Sequence, residues 1–147
     1  MKSQLIHEVA GQRTYAVVLA ADDEVIACLT RVAGEAALTA ASFTAIGAFR
    51  RAELAYFDWD TKHYRPIPVE EQVEVAALIG DIAAGPDGKP AIHIHAVLGK
   101  RDGSAVAGHL IKGEVRPTLE IVLSESPAHL RKRHDPASGL SLIALDN

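Results

Sequence analysis

The sequence predicts an α+β fold: an antiparallel-rich β-sheet of about seven strands with one principal helix packed on one face. Three observations predict it. A single segment, following Asp22 and Asp23, carries apolar residues at helical spacing. Short runs rich in β-branched and aromatic residues recur along the rest of the chain, and most of them are joined by links of hairpin length.

The first strand is expected at Thr14 to Ala20 (TYAVVLA), after a turn at Gly11-Gln12-Arg13. Asp22 and Asp23 can cap a helix and favour its positive end, and Val25, Ile26, Leu29, Val32, Ala33 and Ala36 then form one apolar stripe. A helix is therefore expected from about Asp23 to Leu38, with Gly34 weakening its last turns. Ser42 to Gly47 and Ala52 to Asp58 read as a strand pair, a hairpin bending at Arg50 and Arg51. Two prolines make Tyr64 to Pro68 extended and lead into a long strand through Val73, Val75, Ala77 and Ile79. After the break at Gly85 to Pro90, strands are expected at Ala91 to Gly99, Ala105 to Lys112 and Val115 to Leu123. A polar stretch follows, and Leu140 to Leu145 closes the chain as a final edge strand.

Composition narrows the function classes. At 147 residues and 48% hydrophobic, the chain has the size and apolar content of a single domain over 1–147. No apolar run approaches the roughly 18 residues of a membrane span, and Met1 to Gly11 lacks an apolar signal core, so a cytoplasmic protein is expected. Cys28 is the only cysteine, which excludes an internal disulfide and a thiolate-rich zinc site. Cys28 itself, on the helix's apolar side, reads as core; Arg31 one turn on would lower its pKa, but no general base accompanies it. A formal charge of -4 and a pI near 5.9 weigh against binding nucleic acid mainly by phosphate neutralisation.

The most informative segment is His93-Ile94-His95-Ala96-Val97-Leu98-Gly99-Lys100-Arg101-Asp102-Gly103-Ser104-Ala105-Val106-Ala107-Gly108-His109. Residues two apart on a strand share a face, so His93 and His95 point to one side. The turn decides whether His109 joins them. A two-residue Asp-Gly turn pairs His95 with Leu110 and sends His109 to the other face. A three-residue loop, Arg101-Asp102-Gly103 with Gly103 left-handed, sets His95 opposite His109, with Cβ atoms roughly 4.5–5.5 Å apart. The second register is the expectation, with Gly108 leaving room beside the ligand, unless Gly108 introduces a bulge of its own. Three imidazoles suit zinc, and also nickel, copper or ferrous iron, and leave a fourth position open. Without a metal, the same residues are ordinary strand histidines packed across a hairpin.

Other candidates carry weaker signals. Glu120 is a candidate support for a ligand imidazole or an acid/base near bound water, against the plainer reading of a solvated strand residue. Arg13 can hold an anion through its planar fork but also fits a surface arginine at a strand start. Arg131-Lys132-Arg133, with Arg50-Arg51, are candidate phosphate contacts, although a short charge run is usually a solvated face. His7, His63, His129 and His134 lack companions at ligand spacing.

With these residues in view, the chain resembles stand-alone prokaryotic members of the plants-and-prokaryotes conserved (PPC) domain family. The matching pieces are Ala41 to Ala48, Ala52 to Asp58, Gly80-Asp81-Ile82, and above all His93 through Gly108-His109-Leu110 to Leu119-Glu120-Ile121, in order over about residues 14 to 143. The resemblance implies a mixed, mainly antiparallel sheet beside a helix, assembly into homotrimers, and a metal, usually zinc, at His93, His95 and His109. Plant relatives read A·T-rich minor grooves with AT-hooks. This chain has no Arg-Gly-Arg-Pro hook, and it keeps histidines where the plant domains have mostly small residues, so the family's DNA-binding label transfers poorly. The leading expectation is a metal-binding homotrimeric assembly or regulatory module. The alternative is an enzyme whose metal activates water or a small substrate, with Glu120 as the weak catalytic candidate. A third reading is weak DNA association through the basic residues.

Overall fold

The computed structural model describes residues 1–145; Asp146 and Asn147, the end of the expected domain, lie outside the described residues. The elements are β1 (Lys2–Val9), β2 (Gln12–Ala20), α1 (Val25–Glu35), β3 (Ala40–Asp58), β4 (His63–Val69), β5 (Val73–Ala84), β6 (Pro90–Gly99), β7 (Ala105–Glu125), β8 (Arg131–His134) and β9 (Ser141–Ala144). The class is α+β; among the described residues nine strands form one mixed sheet in which only the β5–β8 pairing is parallel.

Two long strands organise the molecule. β3 and β7 pair antiparallel along most of their lengths, from Ala41↔Glu125 to Ala55↔His109. β5 pairs with β3, β6 with β5, and β6 with the start of β7, so these four strands close a circuit. Helix α1 buries Val25, Cys28, Leu29, Val32 and Ala33 against a core that includes Leu19, Phe49, Leu54, Leu98, Leu110 and Leu119. Burying a side chain such as Leu29 stabilises the fold by roughly 1.5–3 kcal/mol, which is what holds the helix on the sheet.

Several sequence expectations are corrected. The stretch around Arg50-Arg51 is not a hairpin bend: β3 runs 19 residues without reversing, and its pairing with β7 absorbs the curvature through register shifts at Gly47/Phe49, Phe49/Arg51 and Glu53/Leu54. Likewise, Ala105–Lys112 and Val115–Leu123 are two halves of one 21-residue strand. Strand β1 was not expected, because every one of its residues is exposed and a ribbon wet on both faces has no period to read. The turn preceding β2 is Ala10-Gly11, both at positive φ, with Val9 paired to Gln12. Helix α1 begins later and ends earlier than expected. Its cap is Glu24, whose carboxylate accepts the backbone N–H groups of Ile26 and Ala27 at 3.1 and 2.8 Å. Asp23 instead accepts from the Ala20 N–H and pairs with the chain's amino terminus at 2.7 Å.

Candidate metal centre

Loop chemistry places the third histidine. The Gly103 N–H donates to the Lys100 carbonyl at 3.0 Å, the Lys100 N–H donates to that of Ser104 at 2.8 Å, and Gly103 takes φ +85°. This is the three-residue loop, and it sets His95 directly opposite His109. Gly108 plays a different part from the one expected: a Cβ there would come within 2.8 Å of the Ala55 carbonyl oxygen, so it admits the neighbouring backbone of β3 and not a ligand.

Register then builds the surroundings, because directly paired residues point to one side of a sheet. One row crosses the outer face as Ala16, Val122, Thr44, Ile79, His95 and His109. The next is Thr14, Ser124, Ser42, Asp81 and His93. Asp81 is thereby delivered beside His93, and the two make contact at 3.4 Å between Oδ2 and Nδ1.

The three imidazoles converge, each offering a nitrogen within 4.8 Å of the others. Ring centroids lie 5.1 Å apart for His93–His95 and His93–His109, and 5.5 Å for His95–His109. Burial, followed by the neighbouring His93, lowers the pKa of His95. Burial pushes His109 down further, to about 4, with His93, His95 and Lys132 adding to the effect. His109 is therefore neutral near pH 7, the state in which an imidazole can donate a lone pair to a metal. Its Nδ1 is buried with no hydrogen-bond partner among the described residues. An orphaned acceptor or donor of this kind is costly unless something else satisfies it, and a cation held by the three rings fits that requirement. The Tyr64 ring lies against His109 at 4.9 Å between centroids and walls that side.

Two residues around the cluster were not singled out as its supports from sequence. Asp81 contacts His93 and is itself paired with Lys132, Nζ to Oδ1 at 2.6 Å. A carboxylate on the far nitrogen of a ligand imidazole fixes its orientation. The signal that could have found Asp81 was strand pairing between β5 and β6, which depends on the length of the Gly85 to Pro90 turn. Lys132, expected as a phosphate contact, turns inward in β8 and is 6% exposed, while its neighbours Arg131 and Arg133 are exposed.

The remaining candidates lie elsewhere. Glu120 is exposed on the same outer face, between Val18 and Ile46, and lines a separate depression with Gly47, Glu74 and Thr118. Arg13 donates to the Ala36 carbonyl at 3.1 Å and so closes the end of α1. Arg50 and Arg51 are held by Glu114. His129 contacts the Thr39 hydroxyl at 2.7 Å. Cys28 is buried, and burial raises its thiol pKa, the larger effect over the nearby Arg31.

Two cavities flank the histidines. One, of about 560 Å³, opens on the outer sheet face and includes Thr44, Ile79, Asp81, His93, His95 and Val122. The other, of about 350 Å³, lies behind Tyr64 and includes His93, His109 and Lys132.

Comparison with known proteins agrees with this architecture. The model of the Plants and Prokaryotes Conserved (PCC) domain matches residues 6–127. A crystal structure of a plant- and prokaryote-conserved protein from Pyrococcus horikoshii superimposes with a TM-score of 0.84 at 27% identity, covering 92% of this chain and 93% of that one. A protein described as metal-containing, from Archaeoglobus fulgidus, gives 0.83 at 31% identity over 99% of this chain and 100% of its own. A provisionally named DNA-binding protein from Ralstonia eutropha JMP134 gives 0.83 at 29% identity, covering 90% and 91%. No protein with a curated description matches the sequence.

Proposed function

Given that the chain belongs to the Plants and Prokaryotes Conserved domain family, we propose that it is a metal-binding member in which His93, His95 and His109 hold one divalent transition metal, zinc foremost, within a homotrimeric assembly or regulatory module of the cytoplasm. The observation that carries this reading is the convergence of three imidazoles, each offering a ring nitrogen within 4.8 Å of the others, together with a buried His109 Nδ1 that has no partner among the described residues. The similarity to the metal-containing Archaeoglobus protein supports it. Three protein ligands would leave a fourth position for water or a small ligand, and a metal bound so would polarise that group. Asp81 would hold His93 in orientation, and Tyr64 would shield His109 from solvent.

The outer face supports the homotrimer. Val18, Ile46, Ile79 and Val122 are 43%, 64%, 57% and 53% exposed and stand on neighbouring strands, an apolar surface of the kind that assembly covers. Ile79→Glu is expected to reduce the solution mass to that of one chain by light scattering; a monomeric wild type would remove the trimer from this reading.

DNA association, which the Ralstonia protein's name suggests, has weaker support here, since Lys132 faces inward and Glu114 engages both Arg50 and Arg51. The metal reading is tested with untagged protein. Elemental mass spectrometry should find near-stoichiometric metal in the wild type and none in a folded His93→Ala/His95→Ala variant. Metal-free wild type after incubation with zinc would overturn the reading.

A further inference from the structure

Pairing between β6 and β7 reaches His95↔His109 and goes no further toward His93. Beyond that point β8, anchored to β5 by the Ala84↔Arg131 bridge, brings Lys132 into the space behind the histidines. The cavity there holds about 350 Å³, enough for a small metabolite, and Ile92, Leu140, Leu142 and Ile143 give it an apolar wall.

The Lys132 ammonium is unusual in this setting. Its side chain is 6% exposed, and its contact with Asp81 Oδ1 at 2.6 Å is an ion pair without the alignment of a hydrogen bond. An ammonium has three N–H donors, and that of Lys132 lines the cavity beside the Asp81 carboxylate. Asp81 balances the charge of Lys132 but does not satisfy its donors. A divalent metal on the histidines would add two positive charges beside it, making the cavity a place for a negative group with two or more acceptor oxygens. The other cavity differs: it faces the exposed apolar residues Ile79 and Val122 and contains no lysine or arginine.

We propose that the cavity behind Tyr64 binds a small organic carboxylate, its carboxylate oxygens received by Lys132 beside the histidine cluster and its apolar body lying on Ile92, Leu140, Leu142 and Ile143. The proposal deepens the metal reading and rests on it for the extra positive charge, but Lys132 gives it a separate handle.

The test is calorimetric titration of the protein with butyrate, against the neutral isostere butyramide, after the metal content of each sample has been measured. Zinc-loaded wild type is expected to bind butyrate with millimolar or better affinity and not to bind butyramide. Lys132→Met should weaken butyrate at least about tenfold, about 1.4 kcal/mol, with zinc content unchanged. Because that change leaves Asp81 unpaired, Lys132→Met/Asp81→Asn, titrated at a zinc concentration that keeps its histidine site filled, serves as a second, charge-balanced variant and should show the same loss. Equal affinity in wild type and both variants, equal binding of butyramide, or no butyrate binding to zinc-loaded wild type would overturn the proposal and leave Lys132 as a structural partner of Asp81. Should the wild type hold no zinc, the metal reading fails by itself. The titration of the metal-free protein then decides the cavity: Lys132-dependent butyrate binding keeps it, and none refutes it.

Discussion

Two polar clusters in this molecule are built from similar materials and left in opposite states. Around Glu114 the carboxylate is saturated: Arg50 reaches Oε2 at 2.7 Å, while Arg51 and Lys112 reach Oε1 at 2.6 and 3.2 Å. Around His109 the groups are under-used among the described residues, with one ring nitrogen orphaned and a buried lysine poorly aligned on its ion-pair partner Asp81. A satisfied network needs nothing further and reads as a device that pins the bend of β3 to β7. An unsatisfied one persists at a cost, and binding is the simplest way to recover that cost.

The contrast can be broken by experiment. The largest effect is expected at the histidines themselves. His109→Ala should lose metal by more than the roughly 10–100-fold that removal of a supporting partner costs, and its thermal stability without metal should hold or rise, since a buried orphan atom is removed. A marked loss of stability in the metal-free variant would show that the cluster is structural like its counterpart. Asp81→Asn comes next. It should weaken zinc about 10–100-fold through His93, measured by competition with a chromogenic chelator; unchanged affinity would show that Asp81 serves Lys132 alone.

The smallest effect is expected at the saturated cluster and concerns pH. Its three cationic partners, Arg51 first, hold the Glu114 pKa at about 2, below the ordinary 4.5. A depressed folded-state pKa means that this stabilisation is fully present above the unfolded value and is lost as pH falls from about 4.5 toward 2. Glu114→Gln should therefore lower the melting temperature at neutral pH and flatten its acid dependence in that window, with metal content untouched. A parallel acid profile in the variant would show that Glu114 does not contribute to it.

Much of the site was legible because its geometry is local. His93 and His95 share a face by the two-residue period of a strand, and His109 joins them because Gly103 allows a three-residue loop within the same hairpin. Asp81 was less legible, as its place beside His93 depends on the register of a second hairpin. Lys132 was misread, since a basic residue between Arg131 and Arg133 looks solvated until the chain's return alongside β5 buries it. In the same way, the long strands β3 and β7 were read as broken where Arg50-Arg51 and Gly113-Glu114 interrupt the alternation. Only their mutual pairing, with bulges and a shared Glu114, shows them to be continuous.

By itself, then, the sequence determined what neighbouring residues decide: the strand period, the helix stripe, and the loop that sets His95 against His109. Tertiary structure decided what depends on elements far apart in the chain. It closed the circuit of β3, β5, β6 and β7, brought Asp81 and Lys132 to the histidines, and left Val18, Ile46, Ile79 and Val122 together on an open face. The physical reason is that local patterns fix the direction of a side chain, whereas only the assembled sheet fixes what that side chain meets.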